Sequence, residues 1–191
     1  MPTLVIGLGN RGGEYAHTRH NVGWMCLDEL ERRGRFGRER RDGPARVRDG
    51  SLDGFDVITA RPQTYMNLSG RAGVHLTTKF GIAPGDAVVV HDEADYPLGV
   101  VKIKRGGRAA GHRGVQSLID GWRTADFTRV RIGVGHPDAD GDLVEHVLDT
   151  FDRDERERLP AIISRAADAI VAVIREGPEQ AMTTFNRAAN L

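Results

Sequence analysis

The apolar residues of this chain occur in two kinds of run, and the first kind predicts β-strands. Residues 3–8 are continuously apolar and the run stops at Gly9, which is typical of a strand that is buried on both faces. Other short runs are apolar throughout or alternate between apolar and polar residues, as half-buried strands do. These further predicted strands cover residues 55–60, 87–90, 100–104 and 129–135.

The second kind of run has apolar residues three or four positions apart, which predicts helices. One such run begins at Asn21 and ends at Gly34. Another is predicted to start at Ser69 as its N-cap, to continue to Phe80 and to stop at Gly81, because serine favours helix starts and glycine favours helix ends.

Two more helices are predicted in the second half of the chain. A short one covers residues 114–122, and the clearest helical period of the chain covers residues 162–174. Pro160 is expected in the first turn of the long helix, since proline is tolerated there and not in a helix interior. Residues 152–158 are therefore interpreted as a separate short turn.

Strands that alternate with helices predict an α/β fold with a central sheet covered on both faces. Ligands of such sheets bind beyond the carboxyl ends of the strands. Asn10 follows the first predicted strand, and His91 and Asp92 follow the strand at 87–90. We therefore expect these residues to lie in one shared cleft.

Length and composition limit the class of protein. The 191 residues suit one domain spanning 1–191, which can bury a core without disulfides or metals. No apolar stretch approaches the roughly 18 residues that a membrane helix requires, and no cleavable signal precedes the first strand. Cys26 is the only cysteine, so no internal disulfide can form. These features favour a soluble cytoplasmic protein that has no contact with a membrane.

The net charge is zero, but the positive charge is concentrated in two segments. Residues 32–48 contain eight arginines and two acids, and residues 102–113 contain five basic residues and no acid. A neutral protein can therefore carry a basic face that binds nucleic acid. For residues 32–48 the alternative, a set of solvated surface charges, remains open.

Several familiar motifs are incomplete in this sequence. The glycines at 7, 9 and 12 resemble a dinucleotide-binding loop, but no helix opens at the third glycine. The chain has no Gly-Lys pair for a phosphate loop and no serine nucleophile elbow. A metal site formed by His91, Asp92, Glu93 and Asp95 is disfavoured, because neighbours on a strand point in different directions. A histidine, acids and asparagines remain, which suits hydrolysis by an activated water molecule.

Blocks along the whole chain resemble the bacterial peptidyl-tRNA hydrolase family. In order they are GLGNRG (7–12), Tyr15, TRHNVG (18–23), YMNLSG (65–70), HDEAD (91–95), GHRG (111–114), RVRIGVGHP (129–137) and Asn186-Arg187. The resemblance implies a monomer with a central mixed, twisted sheet and helices on both faces. It also implies hydrolysis of the ester between a peptide and the 3′ end of tRNA, which recycles tRNA for translation, without a cofactor or a metal.

The resemblance also implies roles for particular residues. His20 matches the general base, Asp92 the carboxylate that orients it, and Asn10 and Asn67 the asparagines that hold the substrate and stabilise the transition state. Basic positions that contact tRNA phosphates, and positions that line the peptide cleft, are matched as well. The first set is Lys102, Lys104 and Arg131, and the second is Tyr15 and Met66. For His112 two roles remain possible, that of a site residue and that of a core histidine.

Two positions depart from the family pattern. Arg11 replaces a usual proline, and Arg113 replaces an asparagine that usually contacts the substrate. Arginine has only donors and a fixed charge, whereas an amide both donates and accepts. A non-catalytic RNA-binding relative of the same fold is therefore kept as an alternative. A hydrolase of small esters or amides is a third possibility, although a small substrate has no need of a basic face.

Overall fold

A computed structural model of the chain describes residues 1–187, and its centre is a mixed β-sheet. Within that range the strands are β1 (Thr3–Gly7), β2 (Arg35–Phe36), β3 (Arg40–Asp42), β4 (Ala45–Leu52), β5 (Phe55–Pro62), β6 (Val88–Glu93), β7 (Val101–Arg105) and β8 (Thr128–Gly133). Their spatial order is β2-β4-β5-β1-β6-β8-β7, and β3 pairs with β4. The strands β5, β1, β6 and β8 run parallel, while β4 and β7 are antiparallel to their neighbours.

Helices cover both faces of this sheet, as the sequence predicts. The helices of residues 1–187 are α1 (Val22–Arg33), α2 (Ser69–Phe80), α3 (Arg113–Trp122), α4 (Leu143–Leu148), α5 (Arg153–Glu176) and α6 (Pro178–Arg187). Because strand side chains alternate, Val5 faces a core shared with α1 and α5, whereas Leu4 and Ile6 face a core shared with α2 and α3. In this described range no helix combines the length and the apolar character needed to cross a membrane. The expected domain 1–191 also includes residues 188–191, which lie outside the described residues.

Three predicted boundaries are wrong. Ser69 is the first residue of α2 and not its cap, because its backbone is already helical (φ −57°, ψ −27°); its hydroxyl donates to the carbonyl of Met66 at 2.7 Å. Strand β6 continues through Asp92 to Glu93, because Asp92 and Glu93 pair with β8. Pro160 lies inside α5, which begins at Arg153 after a capping box formed by Asp152. Pro160 is on the exposed face of that helix, where solvent can replace the missing helical hydrogen bond.

The arginine-rich segment 32–48 forms the end of α1, the strands β2 and β3 and the first half of β4, and periodicity did not predict these three strands. Five of its arginines are ion-paired to carboxylates. They are Arg32 and Arg33 with Glu29, Arg40 with Asp49, Arg46 with Glu39 and Arg48 with Glu31. Much of the positive charge of this segment is therefore compensated within the protein, in agreement with the solvated-charge interpretation.

A close approach at Gly23 places the start of α1 directly on the sheet. A Cβ atom at this position would lie 2.6 Å from the carbonyl oxygens of both Leu8 and Val90. Only glycine allows the helix to approach β1 and β6 this closely. The residues that precede α1, His20 among them, are thereby held over the carboxyl ends of these two parallel strands.

Candidate active site

A hydrogen-bonded histidine and aspartate lie where β1 and β6 end. His20 belongs to a 3₁₀ turn (Arg19–Asn21) that leads into α1, and its Nδ1 lies 2.9 and 2.8 Å from the two carboxylate oxygens of Asp92. The carboxylate accepts a hydrogen bond and so favours the proton on Nδ1. The Nε2 of His20 is then the unprotonated nitrogen, on a ring that lines a cavity. The shared cleft expected at the ends of β1 and β6 is confirmed for Asn10 and Asp92, which both line this cavity, but not for His91, which is buried and does not line it.

His112 is hydrogen-bonded to the same carboxylate. Its Nε2 lies 2.8 Å from Oδ1 of Asp92, and its Nδ1 accepts from the backbone N–H groups of Gly114 and Val115 at 3.2 and 3.3 Å. His112 thus caps α3. Because its Nδ1 accepts these hydrogen bonds, the proton of its imidazole ring is on Nε2. Of the two roles left open for His112, the structure places it in the site.

The charges of this cluster shift the pKa values of its members in opposite directions. Burial raises the pKa of Asp92, but electrostatic attraction to the imidazole rings of His20 and His112 and the hydrogen bonds from them lower it by more, so it lies well below its ordinary value. Burial lowers the pKa of His20, the Asp92 carboxylate raises it by more, and Arg113 lowers it, with a net increase above 6.5. Asp92 is therefore ionised at neutral pH.

The candidate metal ligands at positions 91–95 do not converge. The Nδ1 of His91 lies 2.7 Å from the backbone carbonyl of Asp92, and Glu93 is bound to Arg131. Burial lowers the pKa of His91 well below its ordinary value, with a smaller contribution from His112. Among the residues described, the group that could hold a metal ion is instead His20, Asp92 and His112, whose ligand atoms lie within 4.8 Å of one another.

Asn10 is positioned by Asn21, to which the sequence analysis assigned no role. The backbone N–H of Asn10 donates to Oδ1 of Asn21 at 2.8 Å, and Nδ2 of Asn21 donates to the Asn10 carbonyl at 2.9 Å. Asn21 is fully buried, so this pair fixes the loop after β1. The signal that could have identified it is its place beside His20 in the same sequence block.

These polar groups open onto a cavity of about 280 Å³. Its polar lining includes Asn10, His20, Asn67 and Asp92, and Met66 and His112 also line it. One wall is apolar and comes from the short helix α4, which the sequence analysis did not predict. Its lining residues are Leu143, Val144, Val147 and Leu148. Tyr15 does not line this cavity, whereas the exposed Tyr65 does.

The predicted phosphate-binding residues lie outside the cavity, on the antiparallel strands β7 and β8 at one edge of the sheet. Lys102 is paired with Arg131 across the two strands, and Lys104 with Arg129. Lys104 is exposed, but Arg131 is mostly buried and donates to Glu93 at 2.6 and 2.9 Å and to the Tyr96 hydroxyl at 2.8 Å. The charge of Arg131 is thus partly compensated, which the sequence did not reveal.

The edge of β7 is closed by the C-terminal helix. The side-chain amide of Asn186 accepts from the Ile103 N–H at 2.9 Å and donates to the Ile103 carbonyl at 2.8 Å. These bonds replace a neighbouring strand and protect an edge that would otherwise be unpaired. Asn186 thereby holds the strand that carries Lys102 and Lys104.

Arg113 is exposed at the start of α3 and lines the cavity. Within residues 1–187 its guanidinium has no ion-pair partner. It lies close enough to His20 to lower the pKa of that histidine. The departure from the usual asparagine therefore adds an uncompensated positive charge beside the His20–Asp92 pair.

Comparison with known proteins gives one consistent result. The family model described as peptidyl-tRNA hydrolase matches residues 4–191. A peptidyl-tRNA hydrolase of Nocardia farcinica is 44% identical over 187 residues, which are 97% of this chain and 96% of the relative. One of Thermodesulfovibrio yellowstonii is 41% identical, covering 96% of this chain and 98% of the relative. A crystal structure of peptidyl-tRNA hydrolase from Acinetobacter baumannii superimposes with a TM-score of 0.89 at 33% identity, over 97% of this chain and 94% of that one.

Proposed function

The chain belongs to the peptidyl-tRNA hydrolase family of hydrolases, and from this premise we propose that it cleaves the ester between a peptide and the 3′ end of tRNA. The observation that carries the proposal is the His20–Asp92 pair, which leaves Nε2 of His20 unprotonated on a ring at the cavity. A base of this kind can activate water without a covalent intermediate.

In the proposed mechanism His20 Nε2 removes a proton from a water molecule as the oxygen attacks the ester carbonyl. Asp92 holds the Nδ1 proton and stabilises the imidazolium that forms. The amide groups of Asn10 and Asn67, which line the same cavity, hold the substrate and donate to the oxygen that becomes negative. When the tetrahedral intermediate collapses, His20 returns its proton to the departing 3′ oxygen of the tRNA.

The peptide is proposed to lie against Met66 and the apolar wall of α4. Three side chains of this wall, Leu143, Val144 and Leu148, are 37–48% exposed, as is expected of a surface that is covered only by a ligand. For Tyr15, a role in the peptide cleft has the support of the family resemblance alone.

The tRNA is proposed to bind across β7 and β8 through Lys102, Lys104 and Arg131. Like charges placed directly opposite each other on two strands destabilise a sheet. Two such pairs occur side by side here, and Glu93 compensates only Arg131. Phosphate groups would supply the missing negative charge, so the arrangement supports an interface for a polyanion.

Lys104→Gln is expected to weaken tRNA binding and to flatten its salt dependence. Each lost phosphate contact should reduce the slope of log K against log salt concentration by about 0.7–0.9. The measurement is a salt titration of tRNA affinity, with Arg38→Gln as a control that loses the same charge at the opposite edge of the sheet. Equal slopes for the two variants would place Lys104 outside the interface.

The pH profile should report the unusual pKa of His20. A base must be neutral, so kcat/KM is expected to decrease as the pH falls through a pKa above 6.5. Arg113→Gln removes a charge that lowers this pKa and should therefore move the acid limb to higher pH. Profiles of the two proteins that superimpose would show that the guanidinium has no effect on His20.

The alternative, a non-catalytic RNA-binding relative, is favoured by Arg113 and disfavoured by the complete His20–Asp92 pair. Release of free tRNA from a labelled N-acetylaminoacyl-tRNA distinguishes the two. Binding without release would support the alternative and contradict the proposed hydrolysis.

We further propose that residues 1–191 act as one domain, as a monomer and in the cytoplasm. The continuous sheet and the match to the family over residues 4–191 support the single domain. Sedimentation analysis of the protein alone would test the monomer.

A further inference from the structure

The loop between β7 and α3 carries two arginines whose charges are not compensated by any residue in the described range 1–187. Arg113 lines the cavity, and Arg108 is exposed in the middle of the loop. Neither forms an ion pair there, in contrast to Arg105, which is bound to Asp126 at 2.7 Å. The loop therefore carries two positive charges that are available to a ligand.

Buried contacts hold the backbone of this loop in place. Arg129 is 2% exposed, and its guanidinium donates to the carbonyl of Arg108 at 3.0 Å and to that of Gly106. Ala109 is buried in the core. Ala110 has a positive φ of 49°, a conformation that an alanine adopts when its surroundings impose it. The position from which Arg108 extends is therefore defined by the fold.

The loop leads from the cavity to the strand β7, which carries Lys102 and Lys104. Ala110, Gly111 and Arg113 all line the cavity. At the other end, Nζ of Lys104 lies 3.0 Å from the point that a Cβ atom on Gly107 would occupy. Basic side chains thus occur at intervals along the loop, from Arg113 near His20 through Arg108 to Lys104 on the exposed face of β7.

We infer that Arg113 binds the phosphate that joins the last two nucleotides of the tRNA, and that Arg108 binds the phosphate before it. The inference rests on the proposed function, which places the terminal ester at His20. A guanidinium presents its donors in a planar fork that matches two phosphate oxygens. A carboxylate of the peptide is the other possible anion, but the peptide wall formed by α4 is apolar, whereas the loop leads toward further cations.

Three minimal substrates separate these possibilities. Each carries the same N-acetylaminoacyl ester on its terminal 3′ oxygen, and they are adenosine, CpA and CpCpA, which contain no, one and two internucleotide phosphates. Arg113→Gln should lower kcat/KM by about tenfold for CpA and CpCpA and by less than about threefold for adenosine, as expected for the loss of one charge-assisted hydrogen bond. Arg108→Gln should lower it for CpCpA alone.

Controls keep the assay specific to this loop. Arg38→Gln removes an exposed arginine at the opposite edge of the sheet and should leave all three substrates unaffected. Arg113→Lys keeps the charge and should recover part of the lost rate. All rates are measured above the acid limb, so that a change in the pKa of His20 does not contribute. On intact N-acetylaminoacyl-tRNA, Arg113→Gln should reduce the salt slope of kcat/KM by about 0.7.

Other outcomes would overturn the inference. An equal loss on adenosine and CpA would place Arg113 on the ester or on His20, and no loss on any substrate would place its guanidinium in solvent. A loss confined to esters of aspartate or glutamate would assign it to a peptide carboxylate. If the unmodified protein cleaves intact N-acetylaminoacyl-tRNA, any of these results contradicts only the proposed phosphate contacts, and the proposed hydrolysis still stands. If it cleaves no ester, the proposed function fails as well.

Discussion

Replacing His20 by glutamine is expected to lower turnover of peptidyl-tRNA by roughly 10²–10⁴-fold, the range that positioned acid–base catalysis contributes. Glutamine retains a polar side chain but cannot accept a proton near neutral pH. Because His20 contacts Asp92 and not the residues proposed to bind phosphate, the affinity for tRNA should change little. The measurement is single-turnover hydrolysis of N-acetylaminoacyl-tRNA at saturating enzyme, together with tRNA affinity.

His17→Gln is a matched control, because His17 is exposed three positions earlier and does not line the cavity. This variant should retain normal turnover. Near-normal turnover of His20→Gln would exclude His20 as the base. A parallel loss of tRNA affinity would instead indicate that the substitution disturbs the binding surface, which thermal unfolding of both variants would help to detect.

Asp92→Asn is expected to lower turnover by a similar factor of roughly 10²–10⁴, because it removes the group that sets the proton position on His20. Oδ1 of Asp92 receives hydrogen bonds from both His20 and His112. An asparagine offers one acceptor oxygen, and its NH₂ group would face a ring N–H. To avoid this contact, His20 would have to place its proton on Nε2, where it can no longer accept one from water.

The double variant His20→Gln with Asp92→Asn distinguishes this explanation from a general loss of structure. If the two residues act as one unit, the double variant should be about as slow as the slower single variant, because catalytic units are strongly non-additive. Asp168→Asn, on the exposed side of α5, is the control for the chemical change. Independent, additive losses would show that Asp92 does not act through His20.

The sequence by itself determined the layered fold and the central chemical pair. The strands β1, β5 and β7 and the helix α1 were predicted close to their observed bounds. They could be predicted because strand and helix periods are local properties of the chain. His20 and Asp92 were identified from short sequence blocks, and their meeting follows from two parallel strands that end at the same edge of a sheet.

Boundaries and short elements needed the tertiary structure. Whether β6 stops at His91 or continues to Glu93 depends on its pairing with β8. The paired residues Glu93 and Gly133 are 40 positions apart, so this pairing leaves no local signal in the sequence. The strands β2 and β3 are too short to show a period and exist because β4 pairs with them. Pro160 is tolerated inside α5 because that face of the helix is exposed, a property that its sequence neighbours do not specify.

In the site, the tertiary structure decided which side chains act together. His112 could have been a core residue until its two ring nitrogens were seen to bind Asp92 and the start of α3. Arg131 and Arg113 look alike in the sequence, yet Glu93 compensates the first and no described residue pairs with the second. The physical reason is that hydrogen bonds and ion pairs act over about 3 Å between segments far apart in the chain, and only folding brings those segments to such distances.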